Sequence, residues 1–493
     1  MKTKKWFALA LTLLLTLSLA APALAAEKGP MYNAVMARFT GQLEAGAVVQ
    51  VLENDTAIQL GYVQELIDAF NAAYASQGVS AVIMDIDQYS DLATDGPYGY
   101  GPDVWYQAND ILMKYATKQH LLPLPVYDME CYDFVPQNAW DAYAVSMGDE
   151  TFYCGAPINV QEGMLYYIES MLPDNWQEKW DLNQNGTPDF FETYTALYAL
   201  SEEIKNNPGG KTQWGYLDDL VDTYFSSGYL FTFGGYVFGQ NDTDPSDIGF
   251  NKGEAWRGCY MLRQWAAQMN NTECLDKAFS SAAYAYLANG TMLCTVTTPD
   301  VYRMFIRAMV NTGSWTDETA AADLKMIPVP RLPKSGDLTA DKWQDTITNM
   351  EELTLPVTMM GGINGYGISS YTKCPNASLA FIQFACSYEQ VMRRNAMLGI
   401  TPARSDAAAK VGESDPTVQI IFNNLDNGFI DVMPAINEAG QIWTPGESFF
   451  VDLTTDAYRA ARNEPVSYDA PEKIQAGLDR MVQQIYDAIF TMR

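Results

Sequence analysis

The stretch DLNQNGTPDFFE, residues 181–192, places an oxygen donor at nearly every second position. A twelve-residue EF-hand-type loop takes ligands from positions 1, 3, 5, 7, 9 and 12 and needs glycine at position 6 for its sharp turn. Those slots hold Asp181, Asn183, Asn185, the backbone carbonyl of Thr187, Asp189 and Glu192, with Gly186 at the turn. All are hard oxygen donors, so the expected occupant is Ca2+. Two ligands are Asn, which leaves three anionic groups and modest affinity, sufficient where calcium is plentiful outside a cell. Pro188 stands at position 8, where paired loops use a backbone N–H that proline lacks. With no second such loop in the chain, the expectation is a solitary structural clamp, fixing Trp176–Trp180 to a helix that begins near Phe191. The plainer alternative is a solvated acidic turn with Asp189 capping that helix.

The chain that must position this loop has 493 residues, which points to two or three domains. Hydrophobic residues make up 48 %, enough for real cores, and the formal charge is −30. Such a field repels nucleic acid and anionic lipid, so neither is an expected partner. The start, MKTKKWFALALTLLLTLSLAAPALAAEKG, has three early lysines, a short apolar run broken by Pro22, and Ala23-Leu24-Ala25 as a cleavage site. Residues 1–25 therefore read as a secretory signal peptide. No cysteine lies near the cleavage site, so no lipid anchor is expected. The exported product is expected to be extracellular or periplasmic and monomeric.

Seven cysteines, an odd number spread over a long chain, make no disulfide framework. Cys131–Cys154 is the first pair to test. His120 is the only histidine, which argues against histidine metal sites and leaves a Ser-His triad one candidate at most.

Periodicity supplies the elements. VVQVLE (48–53) and SAVIMDID (80–87) read as strands, and VQELIDAFNAAYASQG (63–78) as a helix stopped by glycine. GPDVWYQANDI (101–111) runs from turn through strand into helix. This alternation predicts an α/β chain with parallel strands. Long amphipathic helices follow at 251–271 and 470–490. The polar stretch 331–355 is expected to be a surface excursion.

The order of several segments resembles the maltose/maltodextrin-binding family of extracellular solute-binding proteins, the capture subunits of ABC sugar importers. The likeness covers most of residues 46–493. It rests on GPDVWYQAND (101–110), GAPINVQEGMLYYIESMLPDNW (155–176), DLVDTYFSSGYLFTFGGYVF (219–238), GGINGYGIS (361–369), the helix and Pro-containing turn of 378–407, and VMPAINEAGQIWTPG (432–446). The resemblance implies a two-lobed periplasmic-binding-protein fold of class II type around a ligand cleft. The first lobe would be 27–159 plus 362–410. The second would be 163–358 plus 415–493, with the calcium loop inserted. The sheet would not be purely parallel, because family members have a strand that crosses between lobes.

The resemblance also implies a cleft. A pyranose offers a weakly apolar C–H face to aromatic rings and a hydroxyl rim to acids and amides. The matching positions are Glu53, Asp55, Gln107, Asp110, Gln161, Asp222, Tyr224, Tyr302 and Trp443. Asp110 and Asp222 would accept hydrogen bonds from vicinal hydroxyls, and Tyr224 and Trp443 would stack. Several departures stand out: the family's tryptophan in the GPD segment falls at Gln107, its lysine after the first strand at Thr56, its crossover-strand acid at Gln161, and a later tryptophan near Asp300, with Tyr302 the nearest ring. The expected function is capture of a maltodextrin-like oligosaccharide and delivery to a membrane permease, with no catalysis. The competing readings are an exported glycoside hydrolase, which would need two carboxylates about 5 to 9.5 Å apart, and a calcium-dependent adhesion or scaffold protein.

Overall fold

The computed structural model describes residues 35–492 except residue 208. The expected signal segment, 1–25, lies outside the described residues.

Strand β1 (Val48–Leu52) leads to helix α1 (Tyr62–Tyr74). Gly61, at φ +83°, makes the left-handed turn that starts α1. Tyr62, Val63, Leu66, Ile67 and Phe70 form its buried face, the 3.6-residue pattern legible in the sequence. A 3-10 turn follows and stops at Gly78, also left-handed at φ +71°. Then come β2 (Ser80–Ile83), β3 (Val104–Ala108) and α2 (Asn109–Ala116). β1 pairs in parallel with both β2 and β3.

A short β4 (Leu121–Leu122), a hairpin of β5 (Ala144–Met147) and β6 (Glu150–Tyr153), and β7 (Ala156–Gln161) complete this part. The chain then leaves for a second sheet. Its strands are β8 (Met164–Ile168), β9 (Trp214–Tyr216), β10 (Met292–Thr297) and β11 (Leu324–Pro328), in the order β11-β8-β10-β9. Around it lie α3 (Tyr194–Asn206), α4 (Thr223–Phe231), α5 (Ala255–Met269) and α6 (Tyr302–Asn311).

The chain returns in β12 (Met359–Ser369), antiparallel to β3 and β7. The first sheet runs β13-β7-β12-β3-β1-β2, where β13 is Thr401–Pro402. β13 is also antiparallel to β7, so the sheet is mixed, as the crossover implied. Helices α7 (Pro375–Ala385) and α8 (Tyr388–Leu398) precede β13. β14 (Ile430–Val432), α9 (Trp443–Ala461) and α10 (Pro471–Thr491) finish the chain.

β12 is buried throughout, yet carries four glycines. Glycine weakens a strand unless another backbone comes close, and here it does. A Cβ on Gly365 would stand 2.4 Å from the Ala156 carbonyl oxygen, and one on Gly361 would stand 2.8 Å from the Gln161 carbonyl oxygen. The crossings are equally tight. Gly163 links β7 to β8, and a Cβ there would meet the Met359 methyl at 2.5 Å, at the start of the returning strand.

The stretch 331–355, expected as a surface excursion, is mostly exposed or half-buried but ordered. It holds a short helix, Trp343–Thr348, whose tryptophan stacks on Trp180 with ring centroids 4.5 Å apart. Thr346 of that helix meets Thr193 at 3.1 Å. Both contacts brace the loop 181–192. Among the described residues, no helix is long and apolar enough to cross a membrane.

Candidate functional site

The parallel strands β1 and β3 end side by side, so their last residues share one rim of the first lobe. Asn54 caps the short helix that follows β1, accepting from the Thr56 N–H at 2.9 Å. This leaves Asp55 exposed at the rim. Gln107, at the end of β3, donates to the Gln88 carbonyl at 2.6 Å, and the Trp105 indole donates to the same carbonyl at 3.1 Å. Together they hold the loop that presents Tyr89, which is 64 % exposed. Gln107 thus acts on the site through Tyr89, a residue the sequence reading missed. Asp110 follows at the start of α2, where desolvation pushes its carboxyl up to about 6.

The second lobe supplies the facing groups. Asp222 caps α4, accepting from the Tyr224 N–H at 2.7 Å, and burial raises its carboxyl. The Thr223 hydroxyl donates to the Trp443 carbonyl at 3.5 Å, and a Cβ on Gly446 would stand 2.3 Å from that hydroxyl. The starts of α4 and α9 therefore abut, which brings Asp222, Tyr224 and Trp443 together.

Asp300 follows β10 on the 3-10 turn Pro299–Val301. Burial raises its carboxyl while Thr298 and Gln161 beside it act to lower it, and its Oδ1 is buried without a partner. The Tyr224 hydroxyl is likewise buried and unpartnered. Burial, and then the charges of Asp300, Glu162, Asp222 and Asp110, push this phenol well above its ordinary range. Desolvation, Asp300, Asp110, Asp55 and Asp87 raise Tyr89. Groups from the ends of both sheets thus lie within electrostatic reach of one another and make up the candidate site.

Two expected contacts are spent elsewhere. Glu53 is fully buried and accepts from Arg394 at 2.6 Å, from the Tyr366 hydroxyl, and from the Asn54 N–H at 2.7 Å. The Arg394 guanidinium lies 4.3 Å from the centre of the Tyr106 ring. Glu53 therefore braces the rim, because its oxygens are already committed. Tyr302 turns away from the site. Its hydroxyl donates to the Ala321 carbonyl at 3.2 Å, and its ring packs where a Gly399 Cβ would come within 3.0 Å. Tyr302 lines a separate cavity of about 530 Å³ between α6, β11 and α8.

The loop 181–192 turns sharply at its glycine. Gly186 has φ +80°. Asn183 and Asn185 both reach Glu192, at 2.9 and 2.6 Å, and the Asp181 carboxylate accepts from the Asn185 N–H at 3.0 Å. Asp189 is fully buried; its Oδ2 accepts from the Leu182 N–H at 3.0 Å and its Oδ1 has no partner. Among the described residues, no three His, Cys, Asp or Glu side chains gather as a metal cluster. The loop instead mixes three carboxylates with two carboxamides and the Thr187 carbonyl. That donor set, with one orphaned buried oxygen, fits calcium chemistry.

Two lobes joined by adjacent crossings, with unpartnered polar groups at their facing ends, define a protein that captures a solute between its halves. A sequence model of the family described as bacterial extracellular solute-binding protein matches residues 65–420. The chain belongs to that family, whose members bind rather than catalyse. A maltodextrin-binding protein of Bacillus subtilis is 22 % identical over 376 residues, covering 75 % of this chain and 76 % of its own. A galactooligosaccharide-binding protein of the same organism is 22 % identical over 384 residues, with the same coverage, 75 % and 76 %. Among solved structures, MalX of Streptococcus pneumoniae in complex with maltopentaose superposes with a TM-score of 0.67 at 16 % identity, covering 89 % of this chain and all of its own. The maltose-binding protein MalE of Listeria monocytogenes in complex with maltose gives 0.63 at 19 %, covering 91 % and 99 %.

Proposed function

We propose that this protein is the capture subunit of an ABC importer, that it closes on a neutral oligosaccharide of the maltodextrin kind, and that it delivers this ligand to a membrane permease. The observation that supports this most is the pairing of the orphaned Tyr224 hydroxyl with the orphaned Asp300 Oδ1, in a site flanked by Tyr89 and Trp443. Buried polar atoms without partners are costly unless a ligand supplies them. A sugar rim brings hydroxyls that both donate and accept, and its C–H face suits the rings.

Charge narrows the ligand further. The cations acting on the site are already engaged: Lys277, which acts on Asp222, pairs with Glu447 at 2.7 Å, and Arg394, which acts on Asp300, is buried against Glu53. An anionic sugar would meet Asp110, Asp222 and Asp300 with no free counter-charge from the cations that act on them among the described residues. Calorimetry with maltotriose, a galactooligosaccharide and an oligogalacturonate tests the reading. Micromolar binding of the first, weaker binding of the second and none of the third is expected, at about −8 kcal/mol for a micromolar site. Tight binding of the acidic sugar alone would overturn it.

Calcium belongs to the same proposal as a structural ion in the loop 181–192, held by Asp181, Asn183, Asn185, Thr187, Asp189 and Glu192. It would cancel the charge that gathers there and fix the Trp180–Trp343 stack. It takes no part in sugar contact.

A further inference from the structure

All seven cysteines are buried, and as described each carries a free thiol. Two are not isolated. Cys131 and Cys386 lie close enough to shift each other's thiol, Cys131 downward and Cys386 upward. A second set of contacts fixes the same juxtaposition. The Arg404 guanidinium donates to Glu130, the neighbour of Cys131, at 2.5 and 3.0 Å, and to the Cys386 carbonyl at 3.1 Å. It is itself buried, 2 % exposed, and lies 4.7 Å from the Phe134 ring centre. One cation therefore pins the turn around residue 131 against the C-terminal cap of α7, where Cys386 sits. The sequence expectation paired Cys131 with Cys154; the neighbour that acts on Cys131 is Cys386, whereas Cys154 responds to burial alone.

We propose that Cys131 and Cys386 form a disulfide when the chain folds outside the cytoplasm. Extracellular compartments oxidise thiol pairs held in contact, whereas cytosolic ones keep them reduced. The oxidant is a disulfide carrier, either an oxidoreductase or oxidised glutathione. A thiolate of the pair attacks a carrier sulfur, forming a mixed disulfide and releasing one carrier thiolate. The second cysteine, once deprotonated, attacks the first sulfur. The protein S–S bond forms and the other carrier sulfur leaves. Two protein thiols lose two protons and two electrons, and the carrier disulfide becomes two thiols. Cys131 is suited to attack first, because Cys386 and then the Arg404 guanidinium hold its thiol below the ordinary range.

The bond would join two parts of the first lobe that the chain separates by the whole second sheet, since 131 precedes β8 and 386 follows β12. Closing so long a loop restrains the unfolded chain strongly. Stability would then depend on redox state, without any change at the sugar site.

The full chain is folded in a glutathione redox buffer, denatured, and alkylated without reductant. Five labelled cysteines and one cross-linked peptide pair containing Cys131 and Cys386 are expected, rising to all seven labelled after reduction. Reduction should also lower Tm by roughly 4–10 °C. Cys386→Ala should leave six labelled thiols, and Cys131→Ala likewise. Seven labelled thiols in the unreduced wild type, or a cross-link between Cys131 and Cys154, would overturn the proposal, and this reading needs neither variant to fold.

Discussion

Gln161, the last residue of β7, lies beside Asp300 at the end of β10 and acts to lower its carboxyl, while Oδ1 of that carboxylate is buried without a partner. The first lobe thus orients an acid of the second toward whatever lies between them. Hydrogen bonds to charged groups contribute about 1.5 to 3 kcal/mol. Asp300→Asn should weaken oligosaccharide binding on that scale, roughly ten- to a hundredfold, and Gln161→Ala somewhat less. Calorimetry at constant pH checks this; an unchanged Kd in both variants would remove Asp300 from the site.

Tyr89 offers a clean separation of binding from folding. It is 64 % exposed, so its ring adds little to the core. Tyr89→Ala should leave Tm within about a degree and weaken binding by roughly threefold to tenfold, the worth of one aromatic contact. Trp443→Ala, at the half-buried start of α9, should weaken binding more and also cost stability. Thermal melts beside calorimetry distinguish the two.

Glu162 gives a pH signature. It is 4 % exposed at the first crossing, and desolvation lifts its carboxyl to about 8 from an ordinary 4.5, against the bond that Asn424 donates at 2.9 Å. Arg331 lines the same small cavity. Below about pH 4.5 the folded and unfolded chains both hold this proton. Between there and about 8 only the folded chain does, so stability falls as pH rises, by at most about 1.4 kcal/mol per unit. Glu162→Gln should abolish that component. Its Tm should exceed the wild type's at pH 8 and match it near pH 4.5.

Chelation addresses the loop 181–192. Calcium at a hundredfold excess over its Kd stabilises by about 2.7 kcal/mol, so EDTA should lower Tm while leaving sugar affinity within about twofold. Asp181→Asn should shrink the calcium-dependent shift. A Tm indifferent to calcium would leave the loop as a capped acidic turn.

The ion pair of Glu53 and Arg394 is buried on both sides, with 0 % and 2 % side-chain exposure. Removing one partner strands the other charge, at a cost of about 3 to 5 kcal/mol. Arg394→Ala should therefore unfold at markedly lower denaturant. Glu53→Gln/Arg394→Met together should recover part of that loss.

Local chemistry made much of this fold readable. Gly78 ends the 3-10 turn that continues α1, as a glycine after an apolar stripe should, and the GPD segment runs from turn through strand to helix. What stayed hidden depends on distant partners. Glu53 looked available to a ligand until Arg394, 341 residues away, claimed it. Tyr302 starts α6, and the side from which α8 packs decides where its ring goes; no local pattern records that. Asp300 was visible only as a departure from a tryptophan position, since Gln161, which acts on it, belongs to the other sheet. Trp343 gave no sign that its ring would lie on Trp180.

Gly163 and Met359 lie on separate passages between the lobes and touch with no room for a methyl group. An alanine at 163 would act as a wedge in a joint, splaying the passages and tilting one half against the other. Grip on the sugar could then be tuned without altering a single atom that the sugar meets.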